Sequence, residues 1–298
     1  MNTTTVDDSI SKKIHTKQSV QTIWRQRKNF IFKVAVIALC FLAMLPLFFI
    51  FAFIFKQGIS SISWDFISTP AVSDTGVKGG IFNAIVGTIT IVGIATFIAV
   101  PFGVLIGVFL SEYKTSRMAK LTGLCVEILH SIPSIVVGIA CWAWIVKTSG
   151  QFSALSGGIA LAIMMLPVLI RSTEETLKLL PTSLKEGSLA LGAPYWKTII
   201  LVILPAGMSG IVNGILLSVA RVTGETAPLL FTALGSRFTN YNIFKEMEAL
   251  PLMIYNYARD PDELVQSQAW GAAFVLLVMI LAMNLFSKFL ARKWKWQG

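Results

Sequence analysis

The chain has 298 residues, of which 55% are hydrophobic and only 13% are charged. Soluble domains carry roughly a quarter charged residues, so this composition excludes an ordinary soluble domain and favours a protein that turns apolar surface towards lipid. The formal net charge is +10, but the basic residues cluster at the ends of apolar segments, which argues against a nucleic-acid partner. The cysteines lie inside apolar stretches at no metal-ligand spacing, and we interpret them as small hydrophobic residues.

Six apolar segments are long enough to cross a lipid bilayer, whose hydrocarbon core of about 30 Å needs roughly 20 helical residues. They predict an all-α polytopic membrane protein with six transmembrane helices. No small-residue cleavage site follows the first segment, so we interpret it as a retained span that follows a disordered tail, residues 1–29. The segments cover residues 30–55, 81–110, 121–146, 155–170, 199–220 and 270–290.

The distribution of charge predicts the orientation of the spans. The stretch 1–29 carries six Lys and Arg residues against Asp7 and Asp8, and the C-terminal end is purely basic. The segment between the fifth and sixth spans is acidic by comparison. Because basic segments remain in the cytoplasm, this alternation predicts that both termini are cytoplasmic.

Small and polar residues inside the spans indicate how the helices pack. Gly103 and Gly107 lie four residues apart, a spacing that lets two helices approach closely, and they predict a helix contact at this point. Asn83 and Asn213 are polar positions in apolar helices. Either interhelical hydrogen bonds or the lining of a pathway would explain them. The sequence also leaves open whether residues 235–268 form a loop or include a short helix.

The segment between the fourth and fifth spans differs from the other connections. Residues 172–198 are charged and helix-prone, and Pro181 and Gly192 divide them into short pieces. A structured connection of this length in so compact a protein predicts a docking surface on the cytoplasmic side.

This segment contains a motif that resembles the loop by which permeases of ABC importers contact their ATPases. The family pattern is Glu-Ala-Ala, three residues, Gly, nine residues and Ile-x-Leu-Pro. Gly187 and Ser188 replace the two alanines, and Val202 replaces the isoleucine. A short helix, a turn permitted by glycine and a second helix would make a rigid projection, although an amphipathic helix on the membrane surface is the alternative. The matching residues are Glu186, Gly192, Leu204 and Pro205.

A second motif narrows the family. Residues 219–228 read Val-Ala-Arg-Val-Thr-Gly-Glu-Thr-Ala-Pro and resemble a segment of phosphate permeases, as do residues 128–138. The resemblance extends from residue 79 to the C-terminus. It implies the type I ABC-importer (MetI-like) permease fold in a transmembrane domain of residues 30–298, with a core of 79–290. We call residues 172–205 the coupling loop.

Arg221 and Glu225 stand within this second motif, between two apolar stretches. A charge at membrane depth costs at least a few kcal/mol and usually faces an aqueous pathway or a partner. The guanidinium group matches phosphate because its donors bind two oxygens at once and it stays protonated. The four-residue spacing would also let Arg221 pair with Glu225 on one helix face and fix helix packing. A role in the anion pathway and a purely structural role both remain open.

The resemblance implies partners rather than cofactors. It implies half of a translocation pathway for inorganic phosphate, completed by a homologous permease subunit, two ATP-binding subunits and an extracytoplasmic phosphate-binding protein. The chain itself has no ATP site: residues 192–198 lack the second glycine of a phosphate-binding loop, and no strand precedes them. ATP and Mg²⁺ would therefore be bound by the partner ATPase. We identify no catalytic residues and no metal ligands in this chain.

Three alternatives share some of these features. A permease for another oxyanion, such as sulfate or molybdate, would share the coupling loop but should lack the segment around Arg221. A secondary transporter or channel would want more acidic residues within the membrane and would not need the loop. A membrane-embedded enzyme would need clustered catalytic groups, which the sequence does not show.

Overall fold

The computed structural model describes residues 4–71 and 79–293. Within these ranges the chain forms α-helices joined by short connections, with two π-helical turns at Trp142–Val146 and Ile199–Ile203 and no β-strand. By its internal contacts the chain divides into two compact units at residues 56 and 57. The helices are α1 (Thr4–Ser61), α2 (Trp64–Ser68), α3 (Phe82–Glu112), α4 (Arg117–Ser131), α5 (Ser134–Cys141), α6 (Lys147–Ser149), α7 (Ala154–Lys178), α8 (Thr182–Ala190), α9 (Tyr195–Thr198), α10 (Leu204–Thr223), α11 (Ala227–Thr232), α12 (Leu250–Tyr257) and α13 (Glu263–Lys293).

The third predicted span is broken. Within residues 4–71 and 79–293, five continuous helical segments are long and apolar enough to cross a membrane, and the pair formed by α4 and the helical stretch Ser134–Ser149 passes the same criterion with a bend of 100°. The bend lies at Ile132 and Pro133. Because a residue before proline avoids the helical conformation, Ile132 adopts φ −70° and ψ 129° and ends α4. The six predicted spans are thus five continuous helices and one bent pair.

The N-terminal stretch is helical, so our expectation of disorder over residues 1–29 was wrong for the part that the structure describes. Helix α1 begins at Thr4 and continues through the first apolar segment. No proline precedes Pro46 and no glycine precedes Gly58, so no residue type that breaks helices interrupts the polar stretch. Met1 to Thr3 lie outside the described residues.

Helices α3 and α7 pack closely, as Gly103 and Gly107 predicted. A Cβ atom added to Gly103 would lie 2.7 Å from Leu169 Cδ2, and one added to Gly107 would lie 2.6 Å from Thr173 Cβ. Distances below 3 Å leave no room for a side chain, so both positions require glycine for this helix contact.

The main apolar core lies where α3, α7, α10 and α11 meet. It includes Ile91 and Met165, which are fully buried, and Val222 and Leu229, which are nearly so. Asn83 supports this arrangement from the edge: its Nδ2 donates to the Ser236 carbonyl at 2.8 Å, and its Oδ1 accepts from the Ala71 amide at 3.2 Å. Asn83 is therefore a structural tie, which the sequence had left undecided. Asn213 is exposed on α10.

Candidate coupling loop and pathway residues

The coupling loop begins later than the sequence suggested, because α7 continues to Lys178. We had placed a loop from residue 172, where charged residues replace apolar ones. The structure pairs these charges instead: Arg171 Nη1 donates to Glu174 Oε2 at 2.9 Å, and Lys178 Nζ donates to Glu174 Oε1 at 2.5 Å. Because these charges are paired, α7 continues for more than a turn beyond residue 172 before the chain reaches Pro181.

The centre of the coupling loop is a helix, a tight turn and a second helix, as predicted. Helix α8 ends at Ala190, and Gly192 follows with φ 80°, a left-handed conformation that favours glycine. The Gly192 amide donates to the Leu189 carbonyl at 2.9 Å. After Pro194 the chain turns back into α9, where the Thr198 and Ser188 hydroxyls lie 2.9 Å apart and join the two arms.

Only one face of α8 contacts the rest of the chain. Leu184, Lys185 and Ser188 are half-buried, whereas Glu186 and Gly187 are exposed. Added to Gly187, a Cβ atom would meet no atom within 4 Å. Of the two residues that replace the alanines of the family motif, Ser188 therefore makes a close contact within this chain, and Gly187 makes none.

Three large apolar side chains of the coupling loop are exposed. Leu191 beside the Gly192 turn is 90% exposed, Leu179 at the end of α7 is 85% exposed, and Trp196 in α9 is 60% exposed. Large apolar side chains exposed in this way indicate a surface that contacts a protein partner or the membrane.

Leu204 and Pro205 lie at the start of α10 and explain an irregularity there. Proline has no amide hydrogen, so it cannot donate to the preceding turn of a continuous helix. The helix adjusts by a π-turn over Ile199–Ile203, in which the Leu204 amide donates to the Ile199 carbonyl. This turn presents Ile199 and Ile203 to a small core with Leu177. The Leu-Pro end of the motif thus anchors the second arm of the loop on α7.

Sequence reasoning missed a polar contact beneath the loop. Glu112, the last residue of α3, accepts hydrogen bonds from the Lys185 ammonium group and from the Tyr195 hydroxyl. Lys185 comes from α8 and Tyr195 from α9, so one carboxylate contacts both arms. The separations of 73 and 83 residues leave no local pattern that could have indicated this contact.

Arg221 and Glu225 do not share a helix face, contrary to our expectation. Helix α10 ends at Thr223, and the Gly224 amide bonds back to the Arg221 carbonyl at 3.3 Å. Glu225 therefore follows the helix end instead of standing one turn further along the same helix. Among the described residues neither side chain makes an ion pair. Arg221 is exposed on this chain, so its guanidinium group is available to a ligand or to another subunit.

The segment after Arg221 packs against the other motif of the phosphate-permease resemblance. Helix α11 lies on α5, and a Cβ atom added to Gly138 would stand 2.7 Å from Pro228 Cα. The two sequence motifs, 128–138 and 219–228, therefore meet in the fold. The coupling loop lies at the opposite end of α10, and the 17 residue steps from Leu204 to Arg221 span about 26 Å of helix.

Residues 99–296 match a protein family described as binding-protein-dependent transport system inner membrane component. This range includes the whole coupling loop, Arg221 and Glu225. The chain belongs to this family. Proteins named phosphate transport system permease protein PstA are similar to it over most of their length. That of Haemophilus influenzae is 37% identical over 92% of this chain and 97% of its own, and that of Mycobacterium leprae is 35% identical over 98% of both.

Solved structures share the fold at low sequence identity. A chain of the bacterial alginate ABC transporter, crystallised with its alginate-pentasaccharide-bound periplasmic protein, has a TM-score of 0.67 at 14% identity, over 91% of this chain and 97% of that one. A chain of the MetNI methionine ABC transporter in an inward-facing conformation has a TM-score of 0.62 at 19% identity, over 72% and 96%. The family member described here therefore has the MetI-like permease fold that its sequence predicted.

Proposed function

We propose that this chain is the permease subunit of an ATP-driven importer for inorganic phosphate and forms half of its translocation pathway. The observation that carries the proposal is the identity of 37% over 92% of the chain to a phosphate transport system permease protein. Arg221, which is exposed and makes no ion pair with the residues that the structure describes, lies within the segment that resembles phosphate permeases and supports the same substrate.

The proposed importer has four kinds of subunit. A homologous second permease completes the pathway, two ATP-binding subunits contact the coupling loops, and an extracytoplasmic phosphate-binding protein delivers the substrate. ATP and Mg²⁺ are held by the ATP-binding subunits, and this chain binds no cofactor. Both termini and the coupling loop face the cytoplasm, since the basic segments lie on that side.

The exposed groups of the coupling loop suit contact with an ATPase. Glu186, Gly187 and Leu191 face away from the chain and would enter a groove of the ATP-binding subunit. Closure of the two ATPases would move α8, and the spans would then reorient between outward-facing and inward-facing states. Arg221 would hold phosphate in passage through charge-assisted hydrogen bonds, and Glu225 would stand beside it at the helix end.

Uptake by the reconstituted complex tests this function. Vesicles that contain both permeases and the ATPases, with the binding protein outside, should accumulate labelled phosphate in an ATP-dependent manner and should not accumulate labelled sulfate. Arg221→Gln should abolish uptake without loss of assembly, because a neutral side chain no longer attracts the dianion. Arg221→Lys, which keeps the charge but not the paired donors, should retain partial uptake.

Two results would contradict the proposal. Selective uptake of sulfate would overturn the substrate, and near-normal phosphate uptake by the assembled Arg221→Gln complex would remove Arg221 from the pathway.

A further inference from the structure

Glu112 connects the two arms of the coupling loop to α3. Its Oε2 atom accepts from Lys185 Nζ and from the Tyr195 hydroxyl, and Lys185 Nζ also donates to the Tyr195 oxygen at 3.0 Å. The same ammonium nitrogen lies 4.6 Å from the centroid of the Tyr195 ring. The Glu112 side chain is 11% exposed and that of Lys185 29% exposed, whereas Tyr195 is 39% exposed, so the carboxylate is the best shielded of the three groups. Partial burial of this kind makes their interaction stronger than that of a surface ion pair.

Few other contacts hold α8 in place. The helix has no buried residue. Its Leu184 packs at the edge of the core around Leu177, and its Ser188 bonds to Thr198 within the loop itself. Among the described residues, Lys185 provides the only ion pair between α8 and α3.

The space between α3 and α8 is open rather than packed. A cavity of about 270 Å³ lies beside Glu112 and Lys185, and Lys114 and Thr182 stand on its walls. No packed side chains fill this gap, so α8 and α3 share apolar contacts only at the core around Leu177, to which α8 contributes Leu184 and α3 contributes Val104 and Val108. The contact of Glu112 with Lys185 is therefore the direct connection between the two helices at this cavity.

We propose that Glu112, Lys185 and Tyr195 form a clamp through which movement of the coupling loop reaches α3 directly. Without the clamp, movement of α8 and α9 would reach α3 only indirectly, through the shared core around Leu177 or along the chain into α7 and α10. With it, both arms of the loop hold the end of the helix that packs against α7 through Gly103 and Gly107. The inference rests on the proposed function in one respect, namely that an ATPase moves the loop.

The amount of phosphate transported per ATP hydrolysed, measured in the reconstituted complex, tests the clamp. Lys185→Met should leave ATP hydrolysis in place and lower this ratio about fivefold, the size expected when contacting groups of one network are separated. Glu112→Gln should lower it as well, and Tyr195→Phe, which removes one hydrogen bond without a change of shape, should have a smaller effect. Lys114→Met is the matched control, since Lys114 lines the same cavity but makes no ion pair among the described residues, and its ratio should equal that of the wild type.

Exchange of the two charges adds a test of direct contact. Glu112→Lys combined with Lys185→Glu restores an ion pair in the reverse sense, so the ratio should recover to at least half of the wild-type value. A double variant as impaired as its parents would show that the two residues act separately, contrary to the proposal.

Equal phosphate-to-ATP ratios in the wild type, Lys185→Met and Glu112→Gln would overturn the clamp. Assembly is checked by copurification with the ATPase. If a charge variant fails to assemble, Tyr195→Phe decides, and a wild-type ratio in that variant counts against the proposal. If the wild-type complex carries sulfate instead of phosphate, the proposed substrate fails, whereas the ratio measured with sulfate still tests the clamp.

Discussion

Glu248 is a carboxyl group that the fold buries without pairing it. The residue is 7% exposed, and its Oε1 atom has no hydrogen-bond partner among the described residues. Gly235, with φ 93°, leaves room for it: an added Cβ atom would lie 2.9 Å from both carboxyl oxygens. Burial raises the pKa of Glu248 to about 7, although the Ala249 amide and the Arg237 charge lower the pKa in part. The residue lies between α10 and α13, outside the membrane-spanning helices.

This raised pKa predicts a pH-dependent stability. An unfolded glutamate has a pKa of about 4.3, so between that pH and about 7 the folded chain holds a proton that the unfolded chain has released. The contribution of Glu248 to the free energy of unfolding therefore falls as the pH rises through this window, by about 4 kcal/mol at most. Glu248→Gln should raise the unfolding temperature at pH 8 and not at pH 4.5. Thermal unfolding in detergent measures this.

Glu246→Gln is the control for the Glu248 variant. Glu246 is exposed two positions away, so its loss should change stability equally little at both pH values. If the unfolding temperature of the Glu248→Gln protein depends on pH as that of the wild type does, the buried carboxyl group does not cause the pH dependence.

Single residues also show where sequence reasoning reaches its limit. Gly103 and Gly107 were predictable because a helix contact needs small residues at a regular spacing, and the structure confirms them. The pairing of Arg221 with Glu225 was a reasonable expectation for a continuous helix. It was wrong because Gly224 falls between them and the helix ends there. Tertiary contacts decide whether a helix continues through a glycine or ends at it, and the sequence does not show those contacts.

At the scale of elements, the turn at Gly192 sets the angle between the two arms of the coupling loop. The spacing from Glu186 to Pro205 was enough to predict this helix, turn and helix. It was not enough to predict that α7 would reach Lys178, because the ion pairs of Glu174 depend on the folded geometry. The break at Pro133 is a similar case, since prolines are tolerated inside many membrane helices.

Alanine substitutions at two glycines of the loop should have opposite effects. At Gly192, alanine would be forced into a left-handed conformation and should cost about 1–2 kcal/mol, which would loosen the turn and lower ATP-driven uptake. At Gly187, alanine meets open space on a helix and should stabilise α8 by up to about 1 kcal/mol. Thermal unfolding and uptake, measured for both variants, test the prediction.

The outcome that contradicts it is equal stability of the two alanine variants. A loss of uptake in a stable Gly187→Ala protein would point instead to close packing of that position against a partner.

At the scale of the whole molecule, the arrangement predicts which segments face each side of the membrane. Leu191 in the coupling loop and Phe244 between α10 and α13 are both exposed, and one span separates their segments. In a protein in which Cys40, Cys125 and Cys141 are alanine, a membrane-impermeant thiol reagent should label Phe244→Cys in intact cells. It should label Leu191→Cys only after lysis.

Solubilised protein provides the control for this labelling, since both positions should react in detergent. Labelling of Leu191→Cys in intact cells would reverse the orientation and would place the coupling loop out of reach of any cytoplasmic ATPase.

The exposed apolar side chains of the coupling loop have a consequence for the life of the protein before assembly. If the loop binds a cytoplasmic ATPase as proposed, a copy without that partner presents Leu179, Leu191 and Trp196 to the cytoplasm, and such side chains attract chaperones and proteases. A copy that has found its partner hides them. We therefore expect the cellular half-life of this chain to follow the supply of the ATPase, so that surplus subunits are degraded and subunit stoichiometry is maintained without matched synthesis.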